Sequence, residues 1–211
     1  MIELKNITKK FEDKYIFREI NFKFENNNKY IIVGESGIGK TTLLNILCGY
    51  TQLDSGAVVK SNNDNIQYLF QDQLLFTNMT VIENLYIKYC SKIKNCLHIS
   101  NYSNLFMSIL NDFSLGELAN KKVSLLSGGE KQRVQLAQIS LFDPDIILMD
   151  EPTSNLDKVN KIKIAQLIDT FFNNKLIIIV SHDDPYIFKN IHIVELKEGR
   201  LSILNENEYN I

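Results

Sequence analysis

One segment, Gly34–Thr41, constrains the fold of this chain more than any other stretch of its sequence. It reads Gly-Glu-Ser-Gly-Ile-Gly-Lys-Thr and matches the phosphate-loop pattern, in which four residues separate a glycine from a Gly-Lys-Ser/Thr triplet. The apolar run Tyr30–Val33 precedes this loop and has the length of a strand that is covered on both faces. Because Thr42–Leu47 continues as a predicted helix, the strand–loop–helix unit indicates an α/β protein with a mainly parallel sheet.

The residue types in this loop suit a bound polyphosphate. Its glycines let backbone N–H groups turn toward the phosphates, and the start of the following helix adds free donors and positive dipole. Lys40 is expected to place its charge on the β- and γ-phosphates, while the hydroxyl of Thr41 is a ligand for Mg²⁺. The predicted nucleotide-binding residues here are Gly34, Glu35, Ser36, Gly37, Ile38, Gly39, Lys40, Thr41 and Thr42.

The sequence favours ATP over GTP as the nucleotide. A GTPase is expected to carry an Asn-Lys-x-Asp element that reads the guanine base. The nearest match, Asn174–Ile177, ends in isoleucine and falls on a predicted strand. ATP is therefore the predicted cofactor, together with Mg²⁺.

Two adjacent acids, Asp150 and Glu151, follow the apolar run Ile146–Met149. Ligands gather at the carboxyl ends of parallel strands, which is where this pair falls, and the two neighbouring side chains are expected to have different roles. Asp150 is predicted to belong to the Mg²⁺ site, and Glu151 is predicted to polarise the attacking water as general base. The alternative is a pair of solvated acids that caps a strand, and the phosphate loop makes that alternative the weaker one.

The segment Leu126–Glu130 decides between families of nucleotide-binding proteins, and it reads Leu-Ser-Gly-Gly-Glu. Ser127 and Glu130 form a Ser-x-x-Glu capping box at the start of a predicted helix. Gly128 and Gly129 leave bare backbone there, which makes a second anion-binding helix terminus far along the chain from the first. Capping boxes are common, so the physical pattern alone does not assign a function.

With this segment the chain resembles the ABC ATPase family, because Leu126–Glu130 is similar to the signature motif of that family. Other elements of the family occur in its order along almost the whole chain. They are Phe11 as the aromatic that stacks on adenine, Gln71 in the glutamine loop, Asp143–Asp145 before the Walker B strand, Ser154–Asp157 as the D-loop and His182 as the switch histidine. Each of them is weak alone, and their common order carries the resemblance.

The resemblance implies how the site is assembled. Two ATP-binding subunits, identical or paralogous, meet head to tail. Ser127, Gly128 and Gly129 of one copy then complete the site around Lys40 of the other. The implied catalytic residues are Glu151, His182 and Gln71, and the implied metal ligands are Thr41, Gln71 and Asp150.

The resemblance also implies the fold class, a P-loop NTPase core with a mainly parallel sheet, an N-terminal antiparallel β-lobe and a helical subdomain insertion. The predicted single domain spans residues 1–211, with the core at 1–71 and 126–211 and the helical subdomain at 72–125. A Thr80–Glu83 capping box and apolar residues at helical spacing support the insertion. In the family this subdomain grips an intracellular loop of an integral membrane permease, which is the second implied partner.

Composition excludes some other classes. The net charge of −2 and the pI near 6.0 give no sign of a polyanion-binding surface, so nucleic acid is not an expected partner. No apolar run approaches the roughly 20 residues of a membrane-spanning helix. We therefore expect a cytoplasmic protein, held at the cytoplasmic face of the membrane by its partner. The cysteines Cys48, Cys90 and Cys96 have no CxxC spacing, and their odd number argues against a disulfide framework, so unpaired thiols are predicted.

Three functions are compatible with these motifs. The first is an ATPase that powers a transporter, and the short spacings from Lys40 to Gln71 and from Asp157 to His182 suit a compact subunit for peptide, bacteriocin or lipoprotein-type export. The second is a non-transport ABC ATPase such as an iron–sulfur assembly ATPase. The third is a nucleotide-binding regulatory module without turnover. Glu151 argues against the third, because a dead site would often have lost this base.

Overall fold

The computed structural model describes residues 1–93 and 96–204. Its strands are β1 (Ile2–Phe11), β2 (Lys14–Phe24), β3 (Lys29–Val33), β4 (Ser55–Val59), β5 (Ile66–Leu69), β6 (Ile146–Asp150), β7 (Leu176–Val180), β8 (Ile191–Lys197) and β9 (Arg200–Ile203). Its α-helices are α1 (Lys40–Cys48), α2 (Val81–Cys90), α3 (Ser103–Asp112), α4 (Gly128–Ser140) and α5 (Lys158–Phe171). None of the helices in these described ranges has the length and apolar character needed to cross a membrane.

A sheet of six strands, counted over the described residues, runs in the order β5-β6-β7-β3-β8-β9. All neighbours are parallel except β9, which pairs antiparallel with β8. For the connection between them, the sequence around Glu198–Gly199 predicts a hairpin that turns at these two residues. Their φ angles are 48° and 70°, as in a two-residue hairpin turn. Strands β6 and β7 are buried at every position, which explains their continuous apolar sequences.

Side chains of the central strands alternate between two cores on opposite faces of this sheet. Ile31 and Ile179 face a core that they share with α2, α3, α4 and α5, whereas Ile32 and Val180 face a core that they share with α1, β1 and β2. The sheet is therefore covered on both faces, as the α/β class predicted. The carboxyl ends of its parallel strands meet at one edge, so the loops that follow β3, β5, β6 and β7 converge there.

The predicted antiparallel β-lobe is a second sheet with the strand order β2-β1-β4. Ile20 and Phe24 are buried and Phe22 is partly buried, while the residues between them are exposed, as expected for a strand with one dry face. Strand β4 pairs with β1 and was not predicted. Most of its residues are exposed. Its sequence therefore lacks the alternation of apolar and polar residues from which a strand is predicted.

Helices α2 and α3 lie within the range 72–125, which was predicted to be a helical insertion. The predicted capping box at the start of α2 is present. Thr80 Oγ1 accepts a hydrogen bond from the Glu83 N–H at 3.3 Å, and Glu83 Oε2 accepts one from the Thr80 N–H at 2.7 Å. On α3, Phe106 and Leu110 are buried in the core that also contains residues of β3 and β6. The boundaries of the insertion stay a prediction.

The prediction of three unpaired thiols is wrong for two of them. Cys90, the last residue of α2, forms a disulfide with Cys96, and Cys48 is free. An odd number of cysteines argues against a framework of several bridges, but it allows one bridge with one thiol left over. The bridge fastens the end of α2 to the following segment, where the Tyr86 hydroxyl donates to the Leu97 carbonyl oxygen at 3.1 Å.

Candidate active site

The phosphate loop follows β3 at the carboxyl edge of the sheet and leads into α1. Gly34 has a φ of 151°, and Gly39, the N-cap of α1, has a φ of 113°, values that favour glycine. A Cβ atom at Gly34 would lie 2.5 Å from the carbonyl oxygen of Leu196, and one at Gly39 would overlap the side chain of Ile16. Both glycines are therefore required by the backbone conformation and by close packing.

Lys40 is the first residue of α1, and its buried side chain turns back into the loop. Its Nζ donates to the carbonyl oxygens of Gly34 and Glu35 at 2.8 and 2.9 Å. The same atom lies 3.2 Å from His182 Nε2. Burial lowers the pKa of Lys40, and the nearby carboxylates oppose that shift. The ammonium group is thus held at the centre of the loop, where a phosphate would exchange for the carbonyl oxygens.

Asp150 ends β6 and is buried beside the phosphate loop. Burial raises the pKa of Asp150, while the Thr41 hydroxyl, the Lys40 charge and the Tyr68 hydroxyl lower it. Its Oδ1 atom has no hydrogen-bond partner among the described residues. An unpartnered carboxylate oxygen beside a threonine hydroxyl fits the donor set that Mg²⁺ takes next to bound phosphates. In the described ranges, neither at this site nor elsewhere is a group of three or more His, Cys, Asp or Glu side chains arranged to hold a metal ion.

Glu151 lies in a turn that aims its carboxylate at His182. Its φ is 50°, an uncommon conformation for a residue with a side chain, and its N–H donates to the Val180 carbonyl oxygen at 2.8 Å. Glu151 Oε2 accepts from the backbone N–H of His182 at 3.3 Å, and Oε1 lies 3.6 Å from His182 Nε2. Burial raises the pKa of Glu151, which suits a carboxylate that has to accept a proton.

One cleft of about 580 Å³ brings most of the predicted site residues together. Loops that follow four adjacent strands, β5, β6, β7 and β3, contribute to its wall. The strand order therefore explains why residues far apart in sequence share one site. The predicted residues in the wall are Ser36, Gly37, Gly39, Lys40, Thr41, Thr42, Gln71, Asp150, Glu151 and His182.

Other predicted residues lie outside this cleft. Glu35 and Ile38 line a neighbouring cavity of about 680 Å³, which shares part of the phosphate loop with the cleft. Within the described chain, Gly34 and Phe11 line neither cavity. Phe11 is exposed at the end of β1, with Lys9 Nζ 5.0 Å from the centre of its ring.

The predicted second helix terminus, at the start of α4, also lies outside the cleft. Ser127 Oγ accepts from the Glu130 N–H at 3.3 Å, and Glu130 Oε2 accepts from the Ser127 N–H at 2.7 Å. Ser127 and Gly128 are exposed. Gly129 is buried, and a Cβ atom there would lie 3.0 Å from Asn160. The terminus thus presents its backbone to the surface of the molecule and not to the chain's own phosphate loop.

Several residues at the site have no role that was predicted from the sequence. Lys161 and Asp183 line the cleft. The hydroxyl of Tyr68, on β5, hydrogen-bonds the carboxylate of Asp150. Tyr15 and Arg18 line the neighbouring cavity, with the guanidinium carbon 4.0 Å from the ring centre. Asp183 was within reach of sequence reasoning because it follows the predicted switch histidine. The others carry no spacing signal.

The fold and the cleft together define an α/β phosphate-loop protein with a site for a nucleoside triphosphate. Residues 17–154 match the model of the family described as ABC transporter. The chain belongs to this family. The matched range includes the phosphate loop, the segment Leu126–Glu130 and the adjacent acids Asp150 and Glu151.

Curated relatives of this chain are ATP-binding proteins of transport systems. The chain is 32% identical to the lipoprotein-releasing system ATP-binding protein LolD of Francisella tularensis subsp. tularensis over 98% of both chains. It is 32% identical to the phosphonates import ATP-binding protein PhnC of Fusobacterium nucleatum subsp. nucleatum, with 95% of this chain and 90% of the relative covered. It is 31% identical to the energy-coupling factor transporter ATP-binding protein EcfA of Aster yellows witches'-broom phytoplasma, with coverage of 95% and 77%.

Solved structures with the same fold are ATP-binding cassettes. A dimeric post-hydrolysis state of MJ0796 bound to ADP and Pi aligns with a TM-score of 0.80 and 29% identity over 95% of this chain and 96% of that chain. The ADP conformation of MJ1267 aligns with a TM-score of 0.84 over 99% and 92%, and its 23% identity shows the fold alone. The chain is an ATP-binding subunit of an ABC transporter, an ATPase that drives transport, and the predicted fold class is confirmed.

Proposed function

We propose that this subunit closes head to tail with a second ABC ATPase subunit, identical or paralogous, around MgATP and that hydrolysis powers export through an integral membrane permease. The observation that carries the proposal is the separation, within one chain, of two helix termini that suit an anion. Lys40 lies in the cleft, whereas the exposed residues Ser127 and Gly128 lie outside it. A second ABC ATPase subunit, identical or paralogous, is needed to bring that terminus to the γ-phosphate.

Hydrolysis is assigned to the loops that follow β5, β6 and β7. Glu151 accepts a proton from the water that attacks the γ-phosphate, and its raised pKa gives it the basicity for this step. Lys40 and His182, whose nitrogens lie 3.2 Å apart, contact the phosphate that is transferred. Gln71 is exposed in the wall of the cleft, from where it would contact Mg²⁺ and the attacking water.

Thr41, Asp150 and Gln71 would hold Mg²⁺, whose charge stabilises the negative phosphate oxygens when it is bound. The unpartnered Oδ1 of Asp150 supports this assignment. Phe11 would stack on the adenine ring, since the residue is 50% exposed at the end of β1. The remaining nucleotide contacts are assigned to the backbone of the phosphate loop.

The permease is proposed to dock on a groove of about 290 Å³ between the end of β5, α2 and α4. Leu74 and Phe76 line this groove and are 63% and 57% exposed, and adjacent exposed apolar side chains mark interaction sites. Lys88 lies in the same wall, and burial lowers the pKa of its ammonium group, so an acidic residue of the partner would neutralise it. Phe70 lines this groove and the next residue, Gln71, lines the cleft, so a permease bound in the groove would contact the segment that carries Gln71. This docking would hold the subunit at the cytoplasmic face of the membrane.

The proposed cargo is of the peptide, bacteriocin or lipoprotein type. The relative LolD, which is named for a lipoprotein-releasing system, matches this chain over 98% of both lengths. The short spacing from Lys40 to Gln71 and that from Asp157 to His182 suit the same kind of compact subunit. A relative named for phosphonate import has the same 32% identity, so the cargo has to be tested on the membrane partner.

A hydrolysis-blocked variant tests the proposed pair. Glu151→Gln removes the base and keeps the shape of the side chain, so we expect MgATP to convert this variant from monomer to dimer on a sizing column. Gly128→Asp in the same background places a negative charge where the partner's γ-phosphate would bind, so this double variant should bind ATP and stay monomeric. A Glu151→Gln variant that stays monomeric at saturating MgATP would contradict a head-to-tail pair of two identical copies.

The membrane partner is tested by purification and reconstitution. The tagged subunit, recovered from detergent-solubilised membranes, is expected to bring an integral membrane permease with it. Reconstituted in vesicles, the complex should release a lipoprotein or peptide at the expense of ATP. Uptake in the opposite direction would contradict export, and association with soluble iron–sulfur proteins in place of a permease would contradict the transport role.

A further inference from the structure

We propose that Asp183 is a positioning residue that fixes the loop 154–157 and the orientation of His182. Asp183 acts together with Thr153 and Lys161, and we call these three residues the Asp183 clamp. The inference rests on the proposed function, because it concerns the same hydrolytic site. None of the three residues belongs to the predicted catalytic, nucleotide-binding or metal-binding set.

Both carboxylate oxygens of Asp183 are bound by side chains of different elements. Oδ2 accepts from the Thr153 hydroxyl at 2.7 Å, and Oδ1 pairs with the ammonium group of Lys161. Thr153 is fully buried, and the side chains of Lys161 and Asp183 are 27% and 19% exposed. Charge-assisted hydrogen bonds that are partly shielded from water are stronger than those of surface pairs, so this carboxylate is a firm anchor.

The two partners of Asp183 flank one loop, residues 154–157. Thr153 precedes the loop directly, and Lys161 lies in the first turn of α5, where its N–H donates to the Asp157 carbonyl oxygen at 2.9 Å. Residues of the loop line the cleft. One carboxylate that is bonded on both sides of a loop restricts the loop to a small set of conformations.

The clamp also fixes the backbone that carries His182. The N–H of Asp183 donates to the hydroxyl of Ser181 at 3.0 Å, and Ser181 is buried. The N–H of His182 donates to the Glu151 carboxylate at 3.3 Å. Because the His182 side chain is largely exposed, its position depends mainly on this backbone. The clamp therefore connects the segment after Glu151 to the segment after His182. It fixes the position of the Glu151 carboxylate relative to the His182 ring.

Asp183→Asn removes the negative charge of the clamp with the smallest structural change, because it keeps the size of the side chain and an acceptor for Thr153. We expect kcat to fall by about 10–100-fold with KM for ATP changed by less than about threefold, since a misplacement of about 1 Å is enough for such a loss. Lys161→Met should also lower kcat. Lys161→Arg keeps the positive charge and should therefore retain most of the wild-type kcat. The double variant Asp183→Asn with Lys161→Met should lose no more than the worse single variant, because the two groups act as a unit.

A matched control uses another partly buried ion pair of this chain. Lys29 pairs with Asp169 at the amino-terminal start of β3, away from the cleft, and their side chains are 10% and 11% exposed. Lys29→Met should lower the melting temperature and leave kcat unchanged. Thr153→Ser and Thr153→Val form a second pair that keeps both charges, and only the valine variant should lose rate.

The clamp and the proposed function fail in distinguishable ways when Glu151→Gln is measured in parallel. If Glu151→Gln hydrolyses ATP at the normal rate, the proposed function is wrong. If Glu151→Gln is inactive while Asp183→Asn and Lys161→Met are folded and keep kcat, the clamp is overturned. A lower melting temperature with unchanged kcat in these variants would also overturn it, since that result describes a merely structural ion pair.

Discussion

At the scale of single residues, the carboxyl edge of the sheet holds charged groups with shifted pKa values. Burial raises the pKa of Asp150 and of Glu151 and lowers the pKa of Lys40. In each case the largest cause is desolvation, so the charged form of each group is less stable here than in water. Such groups mark functional sites, because a bound ion or substrate can supply the missing partner.

The first prediction concerns the stability of Asp150 variants. Because its folded-state pKa lies above the ordinary value, the ionised carboxylate destabilises the fold above that pKa, and the cost disappears as the pH falls toward the unfolded value. Asp150→Asn removes the charge, so at neutral pH and without nucleotide we expect the melting temperature to rise by a few degrees, roughly the shift that 1 kcal/mol produces in a chain of this size. ATP hydrolysis with Mg²⁺ should fall by about 100-fold or more. Calorimetry and a phosphate-release assay measure the two effects, and a lower melting temperature would contradict the argument.

The second prediction concerns the pH dependence of hydrolysis. Glu151 has to be ionised to accept a proton, so kcat should fall as the pH falls through its raised pKa. The midpoint of the acid limb should therefore lie above 4.5, the ordinary value of a glutamate. A profile of kcat against pH at saturating MgATP gives this midpoint. A midpoint at or below 4.5 would show that another group limits the reaction.

At the scale of elements, α2 and α4 begin with the same capping box, and this allows a matched comparison. Thr80→Ala and Ser127→Ala each remove a hydroxyl that accepts from a Glu N–H at 3.3 Å, which costs about 1 kcal/mol of stability. Only Ser127 stands at the terminus assigned to the partner's phosphate. We therefore expect similar losses in melting temperature from both variants, but a fall in kcat and in ATP-dependent dimerisation from Ser127→Ala alone. Equal kinetic effects would mean that the cap acts through folding.

The elements also show where sequence reasoning succeeds and where it stops. Strands β6 and β7, the hairpin at Glu198–Gly199 and both capping boxes were predicted, because each depends on neighbouring residues and leaves a local pattern. Strand β4 was missed because it depends on pairing with β1 and exposes most of its side chains. The Cys90–Cys96 bridge was missed because the pairing of two thiols six residues apart leaves no pattern in the sequence. The contact between Lys161 and Asp183 joins α5 to the loop after β7, and no spacing announces it.

At the scale of the whole molecule, the strand order β5-β6-β7-β3 brings four segments that are distant in sequence together around one cleft. The sequence predicted which residues belong to the site, and the structure adds which of them share a wall. Gln71, Glu151, His182 and Lys40 meet there, while Ser127 lies elsewhere on the surface. The roles of these residues stay predictions that the variants described above test.

A prediction at this scale concerns the groove beside α2. Replacing Leu74 and Phe76 together by serine removes its exposed apolar side chains, so we expect the subunit to bind ATP normally and to lose most of its association with the permease. Ile203→Ser is a control, since Ile203 is similarly exposed, at 54%, but lies on β9. Co-purification from membranes and nucleotide titration measure the two properties. Undiminished co-purification of the double variant would contradict docking at the groove.

The outer strands of the six-stranded sheet limit edge-to-edge pairing between the sheets of different molecules. Strands β5 and β9 each contain only four residues. Short edge strands offer few unpaired N–H and C=O groups to which a strand of another chain could hydrogen-bond. On the smaller sheet, the outer strand β2 carries the charges of Lys14, Arg18 and Lys23, which also discourage addition of a further strand. Pairing of another chain with these three strands is thus disfavoured, which lowers the tendency of the protein to grow into fibres.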